Sequence, residues 1–343
     1  MNDNNTPPVM HDVARHAGVS QKTVSRVIND APYVREEVRD RVLKAIKELG
    51  YRPNVSARAL VTKQTATLGA IMPATELFGP NAQLHAIERT AQELGYGLLV
   101  ASVKEGDRDS LLAAIGRVLD SGAAGIVISG TALISTPIDD DLYGTPSIVF
   151  GEHVPEGSAL GYVGINQASG TVQAIEHLLD LGHDTVHHIT GPLTWSSARE
   201  RLAAWEATLR RHGRRVPDPV PGDWSYQSGL DAASHLLQGQ GVTAIFSAND
   251  EMAVGAMRAA SRAGRRIPED LSIVGFDDSP MAAYLPIALT TVHQDFPRST
   301  RLAVEAVIDL INGTHEPTDL TIPTWLVVRE STGQPRARAV DTT

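Results

Sequence analysis

The sequence predicts an α/β protein, with a small all-helical head joined to a large core of two lobes, each built on a parallel sheet. Three observations carry that expectation. The first 50 residues place their apolar side chains at helical spacing. From Thr67 onward, short β-rich runs alternate with longer helical stretches, the order that yields parallel sheets covered by helices on both faces. At 343 residues the chain exceeds one ordinary domain, and the stretch after the head is long for a single sheet.

In the head, Met10–Ala17 turns Val13, Ala14 and Ala17 to one side. Gly18-Val19-Ser20 breaks this helix, the glycine tolerating the turn's backbone and Ser20 offering a cap for the next one. Gln21–Asn29 follows, with Val24, Val27 and Ile28 inward. Val34–Gly50 is a longer amphipathic helix on Val38, Val42, Ile46 and Leu49, ended by Gly50. After Arg52-Pro53, the segment Asn54–Val61 amounts to about two turns, capped by Asn54. Two turns are not stable alone in water, so this segment needs a partner.

In the core, the expected strands are Leu68–Met72, Leu98–Val103, Gly125–Ser129, Ser147–Phe150, Val186–Thr190, Ala244–Ser247 and Ser272–Phe276. Helices expected between them include Asn81–Leu94, Ser110–Leu119, Ala168–Leu181, Ser197–Arg211 and Asp250–Ala263.

The composition, 42% hydrophobic and 20% charged, is that of a globular protein. No apolar run approaches the roughly 18 residues of a membrane span, and the opening MNDNNTPP carries no secretory signal. The chain has no cysteine, which excludes disulfides, thiolate metal sites and cysteine nucleophiles. A cytoplasmic protein without a membrane partner is expected. The net charge of −10 divides unevenly: residues 1–65 hold 11 Lys and Arg against 7 Asp and Glu, and the remainder 19 against 33. A basic head on an acidic body suggests that only the head meets a polyanion.

Ser20, Gln21, Lys22, Thr23, Ser25 and Arg26 crowd the exposed side of the second helix. Gln pairs bidentately with adenine, Lys and Arg donate to guanine, and Ser and Thr suit phosphate. The competing reading is an ordinary solvated helix face. His11 and His16 read as surface or packing residues, since no other metal ligand sits at suitable spacing.

In open α/β sheets, ligands bind beyond the carboxyl ends of the strands. Those ends deliver Pro73–Pro80, Gly191-Pro192 with Arg199 and Arg201, Trp224, Asn249-Asp250, Asp277-Asp278 and Gln294-Asp295-Phe296. Planar Arg, Asp and Asn groups grip neighbouring hydroxyls, and aromatic faces cover a sugar's C–H face. Plainer readings compete: Arg199 as a structural salt bridge, Asp250 and Asp278 as helix caps or lobe links, Trp224 as core. No GxSxG, GxxxxGK[ST], HExxH or GxGxxG is present. His187-His188 lie on a strand, where successive side chains diverge, and make a poor metal pair. Asp277-Asp278 lack a nucleophile or base nearby. No enzyme, metal or cofactor is expected.

The stretches MHDVARHAGVSQKTVSRVIN and VREEVRDRVLKAIKELGYRPN closely resemble the lactose-repressor/galactose-repressor (LacI/GalR) family, over nearly the whole chain. The resemblance implies a helix-turn-helix whose second helix enters the major groove of operator DNA. Gln21, Lys22 and Arg26 would read bases, while Ser20, Thr23, Ser25 and Asn29 would position the helix on the backbone. It makes Asn54–Val61 a hinge helix, with Asn54, Ala57 and Leu60 at the DNA and Leu60 wedged into the minor groove. A plain linker is the alternative. The core would be a two-lobed, periplasmic-binding-protein-like (type I) fold. Through GPL-SAR-R, GDWS, AND-MA-GAMRA, VG-DD and LTT--QDF, the lactose-type members put sugar contacts on Leu77, Gly79, Arg201, Trp224, Asn249, Asp277 and Phe296. A β-galactoside or similar neutral disaccharide follows. Two positions depart: Gly151 stands where those members have an acidic sugar contact, and Asn166 where many relatives have Asp.

The implied organisation is a DNA-binding domain at 1–53, a hinge helix and linker at 54–65, and an effector-binding and dimerisation core at 66–343. Its N-lobe spans about 66–164 and 294–322, its C-lobe about 165–293 and 323–335. The expected assembly is a homodimer on a palindromic operator, released by the sugar, and the tail after Gly333 lacks the leucine repeat of tetrameric relatives. Three alternatives stay open: an effector that strengthens DNA binding, a phosphorylated effector met by Arg199 and Arg201, and a sugar receptor without DNA activity.

Overall fold

A computed structural model describes residues 8–28, 31–51, 65–104, 107–130, 138–151, 160–239, 241–314 and 319–336. The chain separates into two compact units, Met1–Ala66 and Thr67–Thr343.

The described residues of the first unit form three helices: α1 (Met10–Ala17), α2 (Gln21–Ile28) and α3 (Glu36–Leu49). Val13, Ala14, Ala17, Val24, Val27, Val42, Ala45 and Tyr51 form its small core. Val38, expected inward, is only half-buried, and the unexpected Ala45 takes the centre of α3. Gly18 and Gly50 end α1 and α3 in the left-handed conformation, φ 65° and 60°. Ser20 caps α2, its Oγ accepting from the Thr23 amide at 3.2 Å. The third helix starts at Glu36 rather than Val34.

The described residues of the second unit form two six-stranded sheets. The first comprises β1 (Thr67–Pro73), β2 (Gly97–Val103), β3 (Gly125–Ser129), β4 (Ser147–Gly151), β5 (Gly161–Asn166) and β11 (Asp319–Pro323), in the order β11-β5-β4-β3-β1-β2. All its pairings are parallel. The second comprises β6 (His187–Thr190), β7 (Val220–Pro221), β8 (Ala244–Ser247), β9 (Ser272–Asp277), β10 (Thr290–His293) and β12 (Trp325–Val327), in the order β12-β10-β9-β8-β6-β7. Its edge strand β12 runs antiparallel to β10.

Helices cover both faces of each sheet, because strands buried on both sides must hide apolar residues from both. In the first sheet, Leu68, Val127 and Phe150 pack with Ile87 of α4 (Phe78–Glu93) and Val304 and Val307 of α10 (Phe296–Asn312). On its other face Ile71 and Ile128 meet Leu111 and Ile115 of α5 (Arg108–Asp120). In the second sheet, Ile189 and Ile245 pack with Leu230 of α8 (Tyr226–Leu236) and Ala253 and Ala256 of α9 (Asp250–Arg262). Opposite them, Phe246 and Val274 meet Leu178 of α6 (Gln167–Asp180) and Trp205 of α7 (Ser196–Arg211). Among the described residues, no helix is long and apolar enough to cross a membrane.

Five strands escape the sequence pattern. Two glycines interrupt β5, β7 has two residues and a proline, β10 is a four-residue strand buried by its neighbours in the sheet, and β11 and β12 are short edge strands that stay largely exposed. The chain crosses between lobes at Asn166–Gln167, at Gln294–Phe296 and at Thr324. Thr324 ties the first and last crossings: its Oγ donates to the Asn166 carbonyl at 2.7 Å and accepts from the Gly170 amide at 2.8 Å.

Candidate functional site

On α2, Gln21, Lys22 and Arg26 are exposed, while Thr23 and Ser25 are half-buried. Lys22 and Arg26 stand four residues apart and share one side of the helix, as Gln21 and Ser25 do. Ser20 is taken up as the helix cap and also pairs with the Thr23 hydroxyl at 2.9 Å. His11 hydrogen-bonds the Gln21 side chain at 3.1 Å, and His16 meets Glu48 of α3 at 2.8 Å. Asn29, Asn54, Ala57 and Leu60 lie outside the described residues.

In the second unit, a cleft of about 580 Å³ opens between the two sheets. Leu77, Gly79, Arg201, Trp224, Asn249, Asp277 and Phe296 all line it. The lobe of the first sheet supplies Leu77, the N-cap of α4, and Gly79 from the first turn of α4, and Phe296 opens α10. The second sheet supplies the others: Asp277 ends β9, Asn249 follows β8, Trp224 follows β7, and Arg201 projects from the second turn of α7.

The polar floor is a closed ring. Arg201, 4% exposed, donates through Nε to Gln167 Oε1 at 3.0 Å, and through Nη1 to the Ala248 carbonyl. Gln167 Nε2 donates to Gln294 Oε1 at 3.2 Å, and Gln294 Nε2 to Asp277 Oδ1 at 2.6 Å. Asp277 Oδ1 returns to Arg201 Nη2 at 3.8 Å. Because Gln167 and Gln294 sit at two lobe crossings, the ring joins the cleft floor to the hinge. Burial raises the Asp277 pKa well above its ordinary range; the attraction of Arg201 opposes this, and Glu251 and Asp250 add to it. The Arg201 guanidinium also lies 3.7 Å from the centre of the Phe276 ring.

Trp224 and Asp277 adopt left-handed backbone, φ 74° and 109°, a cost that concentrates at functional positions. Gly191 makes room for Trp224: a Cβ there would sit 2.1 Å from its ring. The Trp224 indole N–H is buried and has no hydrogen-bond partner among the described residues, leaving a donor for a ligand. Asn249 caps α9, its Oδ1 accepting from Met252, while its amide hydrogens go to the Trp224 carbonyl at 3.0 Å and Glu251 Oε2 at 2.9 Å. Asn249 therefore positions its neighbours.

Several sequence expectations need correction. Asp250 is not the cap of α9. Fully buried, it accepts from Thr291 Oγ1 at 2.5 Å and the Ser279 amide at 2.7 Å, and burial raises its pKa to about 7. Asp278 caps nothing either; it binds Arg329 at 2.6 Å and His293 at 2.8 Å. Arg199 lies outside the cleft lining and donates to the Leu193 and Thr194 carbonyls at 2.7 and 2.9 Å. Asn166 caps α6, its side chain accepting from the Ser169 amide at 2.9 Å, and is not among the residues lining the cleft.

The sequence reading missed Gln167, Trp195 and Glu251. Gln167 was hidden because β5 was unseen. Trp195 lies four residues past Gly191, and Glu251 directly follows Asn249-Asp250, so each stands close to a strand end that the sequence marks. Glu251 Oε1 accepts from the Phe78 amide at 3.2 Å. The N-cap of α4, Leu77, supplies no side-chain cap, so a carboxylate from the other lobe serves that helix end. Phe78 and Phe296 meet edge to face at 6.2 Å and border both the cleft and a second recess of about 610 Å³.

Comparison with known proteins returns two family models: bacterial regulatory proteins of the lacI family at residues 9–54, and a periplasmic binding protein-like domain at residues 175–332. The lactose operon repressor of Escherichia coli K12 is 33% identical over 342 residues, covering 97% of this chain and 92% of the relative. The ribose operon repressor of the same strain is 34% identical, covering 88% and 92%. Among solved structures, the lac repressor dimer bound to operator and the anti-inducer ONPF aligns with TM-score 0.86 at 32% identity, covering 96% of this chain and all of that one. A complex of the transcriptional regulator CelR with cellobiose aligns with TM-score 0.69 at 31% identity, covering 94% and 99%.

Proposed function

The chain belongs to the LacI family of bacterial transcriptional regulators, and on that premise we propose that it is a homodimeric repressor released from a palindromic operator by a neutral disaccharide. Two copies of α2 read the two half-sites, since a two-fold protein matches a two-fold site. Gln21, Lys22 and Arg26 meet base edges, and Ser20, Thr23, Ser25 and Asn29 hold the helix on the phosphates. Asn54, Ala57 and Leu60 lie at the DNA, and Leu60 with its copy in the second subunit wedges into the minor groove. Sugar binding between the lobes changes their closure and weakens the operator complex. A coupling of about 1–3 kcal/mol changes affinity roughly 5–150-fold. No step of this cycle is catalytic, and it runs in the cytoplasm, where the operator is.

The cleft carries this reading. One buried guanidinium, two carboxylates, amides and aromatic faces surround the cleft, the mix of apolar lining and a few placed polar groups that small-molecule sites show. Its charge supports an uncharged ligand over a phosphorylated one. Arg199 is turned away to backbone carbonyls, and Arg201 shares the cleft with Asp277 and Glu251.

The test is fluorescence anisotropy on a palindromic site from the protein's own promoter, with and without lactose, allolactose, cellobiose and galactose. Release by a disaccharide is the expected result. Tighter binding would reverse the sign of the switch, and indifference to every sugar that binds would end the inducer reading.

A further inference from the structure

We propose that Trp195, positioned by Arg199, forms a second-ring subsite that makes the cleft select a disaccharide over its component monosaccharides; this rests on the cleft being a sugar site. Trp195 ends the connection from β6 and stands at the N-cap of α7. It lines the cleft beside Trp224, with ring centres 5.5 Å apart and planes inclined by 62°. A pyranose ring presents a flat C–H face, and an aromatic plane covers one such face. Two planes inclined this steeply cannot both lie against one ring. When the first ring stacks on Trp224, the Trp195 face is left for the unit attached to it, which a glycosidic bond turns out of the first ring's plane.

The loop carrying Trp195 is held in place. Arg199, one turn into α7, spans back to the Leu193 and Thr194 carbonyls at 2.7 and 2.9 Å, and the Trp195 amide donates to Pro192 at 3.1 Å. Arg199 is exposed and lies outside the cleft lining, so it acts through Trp195 as a positioning residue. Gly151 in the opposing lobe leaves its side of the cleft without a side chain. Its φ is +88°, and a Cβ there would stand 3.7 Å from Gln83 Nε2. The missing side chain widens the cleft, and the Gln83 amide borders the space with neutral hydrogen-bonding groups in place of a carboxylate.

The experiment is calorimetric titration of the full-length protein with lactose and cellobiose against galactose and glucose, for wild type, Trp195→Ala, Trp195→Phe and Arg199→Ala. The subsite predicts that wild type binds a disaccharide at least tenfold more tightly than either monosaccharide. Trp195→Ala should cut that ratio tenfold or more, Trp195→Phe should retain most of it, and Arg199→Ala should shift it the same way by less. Far-ultraviolet circular dichroism reads the folding of each variant. If Trp195→Ala fails to fold, Trp195→Phe and Arg199→Ala still decide the ratio. A wild type that prefers neither class, or a Trp195→Ala loss equal for both, overturns the subsite and leaves the sugar reading standing. A wild type that binds none of the four sugars overturns both.

Discussion

The helical head and the lobed core place function on opposite kinds of surface. In the head, the candidate DNA readers Gln21, Lys22 and Arg26 are neighbours in sequence and exposed, on a helix whose other side, Val24 and Val27, makes the core. One amphipathic pattern therefore gives both the fold and the reading face. In the core, the cleft residues come from separate segments between Leu77 and Phe296, and the charged ones are buried. There the candidate site groups are part of what holds the lobes together, through Gln167–Gln294 and Glu251–Phe78. The comparison teaches that substitutions at the reading face should alter binding and leave stability alone, while substitutions in the cleft should alter both.

The largest effect expected on this basis is at Arg201. Arg201→Ala opens the Gln167–Gln294 ring and leaves Gln167 Oε1 and the Ala248 carbonyl buried without their donor, costing about 1–3 kcal/mol for each group. Urea unfolding followed by tryptophan fluorescence would measure it, and a loss below 1 kcal/mol would break the claim that the cleft is structural.

Next is an acid effect confined to the core. His188 is fully buried between Trp205 and Phe246, and burial lowers its pKa from 6.5 to about 4. As pH falls from 6.5 towards 4, the unfolded chain takes up the proton first. Stability from this group is thus present above pH 6.5 and lost on acidification, by about 3 kcal/mol at pH 4. Unfolding of His188→Gln across that range should lack this slope, and parallel pH profiles would refute the assignment.

Arg26→Ala sharpens the other side. Operator affinity should fall by about 1–3 kcal/mol with melting temperature and sugar affinity unchanged, read by anisotropy and calorimetry. The smallest expected effect is Ser20→Ala, which removes the cap of α2 and costs the head about 1 kcal/mol. If Ser20→Ala weakens operator binding much more than that, its hydroxyl contacts DNA as well as capping.

The same contrast explains what could be read in advance. The head was legible because helical periodicity and capping act within a few residues: Met10–Ala17 has the boundaries expected, and Gly18 and Gly50 end their helices as anticipated. Ala45 was missed because a small side chain carries little pattern. In the core, Ile126–Ile128 and Ile273–Val274 announce central strands through apolar runs, whereas Thr290–His293, with one apolar residue in four, carries no such run and is a strand by its pairing with β9 and β12. Missing Gly161–Asn166 then concealed Gln167 and with it half of the ring under Arg201.

By itself the sequence determined the helical head with its exposed Gln21–Arg26 face, the alternation that builds two parallel sheets, and which strand ends deliver Arg201, Trp224 and Asp277. These follow from interactions between near neighbours along the chain. Only the tertiary structure decided that Asn249 positions neighbours while Asp250 locks β10, that Arg199 clamps the Trp195 loop, and that Glu251 caps a helix in the opposite lobe. A polar side chain's role depends on which donor or acceptor lies within about 3 Å, and in the core that partner is commonly a hundred or more residues away, as Gln294 is from Gln167 and Phe78 from Glu251.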